Sequence, residues 1–135
     1  LQILSKHGAP LPRLKRLLSA GAPVPPDVVR YMRPLLRPDA ELWTPYGATE
    51  ALPVTVIEGR ELQATSRETE NGAGTCVGRA VPPNIVRIIK ITDGPIGFWS
   101  SDLILPQGQI GEITVAGPTA TDEYFNRPEA TQKAK

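Results

Sequence analysis

Two short stretches of the sequence combine residue types that could bind a nucleotide together with a metal ion. In the first, WTPYGATE at residues 43–50, the ring of Tyr46 could stack on a base, and Gly47 would let a ligand approach the backbone. Thr49 adds a hydroxyl for a phosphate oxygen, and the carboxylate of Glu50 is a ligand type that Mg²⁺ accepts. The same residues also fit an ordinary polar turn at a strand end, with a half-buried tyrosine and a solvated glutamate.

The second stretch, SAGAP at residues 19–23, consists of small residues that directly follow a predicted strand. A flat ligand could lie against such bare backbone and hydrogen-bond to its exposed peptide groups. Taken alone, this composition is more typical of a tight turn that feeds a helix. Each stretch by itself is therefore a weak indication of a site.

Both stretches fall in the first half of the chain, where the pattern predicts a strand, a helix and two further strands. Residues 14–18 are predicted to form a short strand, and a helix is expected from the prolines and Asp27 at residues 25–27 to about Leu36. Pro34 should distort the last turn of this helix. The sequence AELW leads into WTPYGATE, and β-branched residues at 53–57 indicate another strand. This order is typical of an α/β layer.

The second half of the chain predicts mostly β-structure. Short strands are expected at residues 86–92, 102–105 and 111–117, separated by turns rich in glycine and proline. They indicate a small distorted β-barrel or sandwich, whose interior Trp99 could plug. The polar run at residues 60–74 marks the boundary. Residues 1–65 are thus predicted to form an α/β lobe and residues 66–135 a barrel-like lobe, both parts of one truncated domain.

Composition and charge exclude several classes of protein. The 135 residues are 40% hydrophobic and 21% charged, as in soluble globular domains, and no apolar run is long enough to span a bilayer. Neither a signal peptide nor a disulfide is expected, because the N-terminal apolar residues are interrupted and Cys76 is the single cysteine. Cys76 is expected to be a small filler, buried or half-buried, and a cytoplasmic setting fits best. Basic residues in the first 40 positions are interpreted as a solvated helix face rather than a nucleic-acid site, since interleaved aromatic residues are lacking.

Taken together and in this order, the two stretches resemble motifs of the adenylate-forming superfamily, which includes acyl-CoA synthetases, fatty-acyl-AMP ligases and luciferase-type enzymes. In that family a GGAP-like turn borders the adenine. A YGxTE motif supplies a stacking tyrosine, a threonine near the α-phosphate and a glutamate that binds Mg²⁺.

Two later stretches also match the family. VGRAVP at residues 77–82 is similar to the loop before its first barrel strand, and GQIGEITVAGPTATDEYFNRPEAT at residues 108–131 resembles a signature of its barrel lobe. Ala20, Ala80 and Glu123 depart from the family pattern, which commonly has glycine, proline and glycine at these places. The turn before Tyr124 is therefore expected to differ in backbone shape.

The resemblance implies roles for individual residues of the first two stretches. It assigns Thr49 and Glu50 to catalysis, and Glu50 also to Mg²⁺. Contacts with ATP or AMP are implied for eight residues: Gly21, Ala22, Pro23, Thr44, Pro45, Tyr46, Gly47 and Thr49.

The resemblance also implies a reaction, in which a small carboxylic acid, expected to be a fatty acid, attacks the α-phosphate of ATP. The products are an acyl-adenylate and pyrophosphate, and the acyl group then passes to CoA or another acceptor. A faint likeness of residues 64–91 to bacterial olefin-pathway synthetases, which close a β-hydroxy acid to a β-lactone, favours that branch.

The family's phosphate loop, ribose-binding aspartate and lysine-bearing lid have no counterpart in these 135 residues. The chain is therefore expected to be an internal part of a large N-terminal domain and inactive in adenylation by itself. It should also self-associate through apolar surface that the rest of the domain would cover. The alternative from another class is a non-catalytic nucleotide-binding or scaffolding module that keeps this lobe without the reaction.

Overall fold

The computed structural model describes residues 2–134, which form two sheets connected by short helices and turns. In chain order the elements are α1 (Gln2–His7), β1 (Arg16–Leu18), α2 (Pro26–Met32), a 3₁₀ turn (Arg33–Leu35), β2 (Glu41–Ala48), β3 (Ala51–Glu58), α3 (Gly59–Ala64), α4 (Ser66–Glu68), a π turn (Thr69–Ala73), β4 (Arg79–Ala80), β5 (Ile85–Ile89), a second 3₁₀ turn (Ser101–Leu103), β6 (Glu112–Ala116) and α5 (Pro128–Ala134).

The main sheet has four strands in the order β1–β2–β3–β4. Strand β1 runs parallel to β2, with Leu18 opposite Trp43. Strands β2 and β3 form an antiparallel hairpin whose turn is at Thr49 and Glu50, and β4 adds a short antiparallel strand to β3. The predicted α/β layer is confirmed, although β2 and β3 extend further than their patterns predicted.

Helix α2 supplies one side of the hydrophobic core. Pro26 occupies one of its first positions, where the missing N–H costs nothing. The buried side chain of Met32 lies in one cluster with Leu42 of β2 and Ile57 of β3, and all three are fully inaccessible to solvent. Burying each such side chain stabilises the folded state by about 1.5–3 kcal/mol relative to leaving it exposed. The helix ends at Met32 and Pro34 falls in the following 3₁₀ turn, in agreement with the predicted distortion.

The polar run at residues 60–74, expected to separate two lobes, is mostly helical. The side chain of Glu58 accepts a hydrogen bond from the backbone N–H of Arg60 (2.7 Å) and caps α3. Leu62 on this helix is only 1% exposed and completes the core cluster, and the half-buried Cys76 packs against that cluster as predicted. A single leucine in a polar run is too weak a signal to predict a helix. The lobe boundary at residues 65 and 66 stays a prediction.

The second half forms a two-stranded antiparallel sheet, β5–β6, and no closed barrel occurs between residues 2 and 134. Residues 102–105, predicted as a strand, begin in a 3₁₀ turn because the Ser100 side chain accepts a hydrogen bond from the N–H of Asp102. Only Ile104 then bridges to β5, at Ile89. Trp99 is 57% exposed, so the expectation that it plugs a barrel interior is wrong.

The two sheets are tied together beside the hairpin. The side-chain amide of the buried Asn84 donates to the carbonyl of Pro53 on β3 (3.0 Å), and the N–H of Val81 donates to the carbonyl of Val54 (3.0 Å). These contacts hold the segment that leads into β5 against β3. None of the helices within residues 2–134 combines the length and apolar character needed to cross a bilayer.

Candidate nucleotide and metal site

The parallel pairing of β1 and β2 brings the two predicted motifs to the same edge of the main sheet. The backbone N–H of Ser19, the first residue of SAGAP, donates to the carbonyl of Trp43 (3.0 Å). Beyond this bond the chain turns away at SAGAP, while β2 continues through Thr44 to the hairpin turn. The carboxyl edge of parallel strands is where open α/β sheets bind their ligands.

An ion pair across the two parallel strands supports this edge. Arg16 of β1 and Glu41 of β2 lie opposite each other, with 2.6 Å between Nε and Oε2. The indole N–H of Trp43 also donates to Glu41 (3.2 Å). The hydrogen bond from Arg16, followed by that from Trp43, lowers the pKa of the Glu41 carboxyl, so it stays ionised at neutral pH.

The SAGAP turn presents exposed backbone at this edge. Gly21 has a φ of +92°, a conformation that side chains other than glycine rarely adopt, and open space surrounds it. Ala22 and Pro23 are also exposed, whereas the next residue, Val24, is buried in the core. The turn is thus anchored at its end and open in the middle, which suits a flat ligand.

WTPYGATE is mainly a strand, and only its last two residues form the turn. Thr44 and Pro45 pair with β3 and are half-buried, whereas the ring of Tyr46 is 38% exposed and remains accessible for stacking. A bulge between Tyr46 and Ala48 increases the local bend. Thr49 at the tip is exposed.

Gly47 has a structural requirement that is independent of any ligand. A Cβ atom at this position would overlap the carbonyl oxygen of Ala51 and lie 2.9 Å from a methyl group of Leu52. The close approach of the two strands at the bulge therefore needs glycine. The family resemblance implies a ligand contact for Gly47 but does not predict this structural requirement.

Glu50 is held by a segment that is distant in the sequence, a contact that the motifs do not predict. Its Oε1 accepts a hydrogen bond from the phenol of Tyr124 (3.0 Å), and its backbone carbonyl accepts one from the N–H of Thr121 (2.7 Å). The bond to Glu50 raises the pKa of Tyr124. Tyr124 had been noted only within the later motif, and residue spacing contains no signal for a contact across 74 positions.

Glu50 is the carboxylate that the predicted motifs offer to a metal at this edge. Among residues 2–134 no group of three histidine, cysteine, aspartate or glutamate side chains could hold a metal ion. Mg²⁺ bound with a nucleotide needs fewer protein ligands, because phosphates and water supply most of its coordination and one or two carboxylates suffice. Glu50 at the hairpin tip fits that requirement.

The α/β fold and the motifs at its edge are those predicted for a nucleotide-binding domain, and a comparison with protein families identifies the class. A family model described as AMP-binding enzyme matches residues 1–125. The chain belongs to this family of adenylate-forming enzymes, as its motifs predicted.

Two olefin β-lactone synthetases that the chain matches are longer than this chain. An olefin β-lactone synthetase of Stenotrophomonas maltophilia is 64% identical over 135 residues, which is 100% of this chain and 24% of that protein. The chain thus spans about a quarter of the length of this curated relative.

Two solved structures share the fold. An amide bond synthetase of Marinactinospora thermotolerans aligns with a TM-score of 0.63 at 29% identity, over 87% of this chain and 20% of that one. An O-succinylbenzoate coenzyme A synthetase of Bacillus subtilis, solved with ATP and magnesium, aligns with a TM-score of 0.67 at 20% identity, over 96% of this chain and 23% of that one.

Proposed function

We propose that this chain provides the adenine and Mg²⁺ edge of a longer, ATP-dependent ligase that activates a carboxylic acid as an acyl-adenylate. The observation that carries the proposal is the parallel β1–β2 pair, which brings SAGAP and the hairpin of Tyr46 and Glu50 to one edge of the sheet. A scaffolding module without a reaction would not need an accessible ring and a fixed carboxylate at that edge.

Each residue of the edge has a proposed task. The ring of Tyr46 stacks on adenine, and the exposed backbone of Gly21, Ala22 and Pro23 borders the base. The hydroxyl of Thr49 donates to a phosphoryl oxygen. Thr44, Pro45 and Gly47 complete the contact surface along β2.

The proposed reaction places negative charge on the phosphoryl group of ATP. A substrate carboxylate oxygen forms a bond to the α-phosphorus while the bond to the bridging oxygen breaks, and pyrophosphate leaves with the electron pair. Negative charge on the phosphoryl oxygens has to be met by fixed donors and cations, and Mg²⁺ when bound supplies most of that neutralisation. Glu50 would hold the ion, while Thr49 beside it orients the phosphate.

The fate of the acyl-adenylate is proposed from similarity. The 64% identity to an olefin β-lactone synthetase favours a fatty acid with a β-hydroxyl group that attacks the activated carbonyl, which closes a β-lactone and releases AMP. Transfer to CoA is the competing outcome. Because the reaction consumes ATP, the proposal includes a cytoplasmic setting.

The isolated chain is expected to be inactive, because it contains only part of the machinery that the family resemblance implies. The function is therefore tested in the longer protein by exchange of labelled pyrophosphate into ATP. Glu50→Ala should lower the exchange rate by about 100-fold or more, since a charge-stabilising group is removed from the transition state.

The matched control is Glu112→Ala, which removes an exposed carboxylate on β6 far along the chain from the hairpin. It should leave exchange unchanged. Near-normal exchange by the Glu50→Ala variant would contradict the proposed function.

A further inference from the structure

The tip of the β2–β3 hairpin is held by residues 120–124. Ala120 forms an antiparallel bridge with Ala51, the N–H of Thr121 donates to the Glu50 carbonyl (2.7 Å), and the phenol of Tyr124 donates to Glu50 Oε1 (3.0 Å). One segment thus contacts both the backbone and the side chain of Glu50. We call residues 120–124 the clasp.

The phenol is presented by backbone that is itself fixed. The N–H of Tyr124 donates to the hydroxyl of Thr131 (3.0 Å), and that hydroxyl donates to the carbonyl of Arg127 (3.0 Å) at the start of α5. The N–H of Arg127 returns a bond to the carbonyl of Tyr124 (3.1 Å). None of these bonds involves the phenol, so removing its oxygen leaves the backbone anchors in place.

A fixed donor on a metal-binding carboxylate has a known physical effect. Glutamate has three side-chain torsions, and at a hairpin tip they are poorly restricted unless a partner selects one arrangement. A hydrogen bond to one oxygen orients the whole carboxylate plane and so restricts where a metal ligand can point. Partners of this kind commonly change metal affinity by 10–100-fold when removed.

We propose that Tyr124 is a positioning residue that orients the Glu50 carboxylate for the metal ion, with the clasp as its support. The inference rests on the proposed function, because it requires Glu50 to be a Mg²⁺ ligand. It adds a residue from the second half of the chain to a site otherwise built from β1 and β2. The clasp thereby connects the segment that follows β6 to the sheet edge at which we propose that the nucleotide binds.

The test measures metal affinity directly, without turnover. Mn²⁺, which accepts the same oxygen ligands as Mg²⁺, is titrated into the longer protein saturated with α,β-methylene-ATP, and free Mn²⁺ is followed by electron paramagnetic resonance. Tyr124→Phe should raise the Mn²⁺ dissociation constant by about 10-fold. In a Glu50→Gln background, the same substitution should add no further loss.

Two further variants separate orientation from general damage. Tyr31→Phe removes the hydroxyl of an exposed tyrosine on α2, whose ring lies 5.2 Å from the guanidinium carbon of Arg30, and should leave Mn²⁺ affinity unchanged. Thr131→Val loosens the anchor of Tyr124 without removing the phenol, and should weaken Mn²⁺ binding less than Tyr124→Phe does. In turnover, Tyr124→Phe should raise the half-saturating Mg²⁺ concentration while the KM for the carboxylic acid stays the same.

The outcomes distinguish this inference from the proposed function. Unchanged Mn²⁺ affinity in Tyr124→Phe, with weakened affinity in Glu50→Gln, overturns the role of Tyr124 and leaves the proposed function standing. Equal losses from Tyr124→Phe in the wild-type and Glu50→Gln backgrounds also overturn it, because the phenol would then act through another group. Unchanged affinity in Glu50→Gln contradicts both.

Discussion

The layer formed by the main sheet with α2 and α3 buries more of its apolar residues than residues 85–134, which are called the β5–β6 region. All nine buried residues of the main core cluster lie in the layer. In the β5–β6 region Ile89 is fully buried, but several large apolar side chains face solvent: Ile91 (72% exposed), Phe98 (93%), Trp99 (57%), Ile110 (92%) and Phe125 (87%). The layer thus holds the main apolar core, whereas the second region leaves most of its large apolar side chains exposed.

The total surface supports the same conclusion. The described residues expose 9833 Å², whereas a folded monomer of 14.6 kDa typically exposes about 6,900 Å². The chain therefore buries less of its surface than a compact monomer of its mass does.

The largest effect is expected from damage to the core of the layer. Leu42→Ala in the 135-residue chain should lower the free energy of unfolding by about 2–5 kcal/mol, because it leaves a cavity around a fully buried position. Phe98→Ala should change it by less than about 0.5 kcal/mol, since that ring is exposed. Urea denaturation measures both, and a larger loss for Phe98→Ala would reverse the comparison between the regions.

A smaller loss is expected at the hairpin bulge. Gly47→Ala should destabilise the chain by about 1–3 kcal/mol, because the new methyl group meets the backbone of Ala51, which cannot move freely. Gly94→Ala is the matched control in the β5–β6 region, where open space surrounds the glycine. If both variants unfold at the same urea concentration, the two strands do not approach each other at Gly47 closely enough to exclude a methyl group.

Self-association should originate in the β5–β6 region. We expect the isolated chain to form dimers or larger assemblies, and Phe98→Ser combined with Trp99→Ser to shift it toward monomer, because exposed aromatic surface drives association. Tyr31→Ser, which removes an exposed ring from the layer, should have little effect. Size-exclusion chromatography reports this, and a clean monomer at high concentration would contradict the expectation.

The smallest effect concerns the ion pair between Arg16 and Glu41. Because Arg16 lowers the pKa of Glu41 below its usual 4.5, the pair stabilises the fold above that pH and its contribution is lost as pH falls through the lowered value. Glu41→Gln should therefore melt slightly below the wild type at pH 7, and the two melting temperatures should converge in acid. A constant difference across pH would mean that the glutamine disturbs packing rather than charge.

Local signals in the sequence predicted much of the layer. Pro26 and Asp27 indicated the start of α2, and Pro34 its distorted end, because these effects act within one helical turn. The helix around Leu62 was not predicted, because it depends on burial against the core and on the Glu58 cap, and neither is evident from the apolar pattern. The strand expected at residues 102–105 was lost to a local serine cap, which competes with sheet pairing.

The sequence predicted the residues of the candidate site but not all of the contacts that hold them together. Motif resemblance identified Tyr46, Thr49 and Glu50 as candidates. The contact between Tyr124 and Glu50 could not be predicted, because it depends on how two distant segments pair. The roles of these residues stay predictions, while the family to which the chain belongs is confirmed.

The most direct test of the central claim is a crystal structure of the longer protein with α,β-methylene-ATP and Mg²⁺. We expect adenine to stack against the ring of Tyr46 beside Gly21, and a Glu50 oxygen to lie about 2.0–2.1 Å from the ion. A nucleotide bound away from this edge, or a magnesium ion coordinated without Glu50, would contradict it.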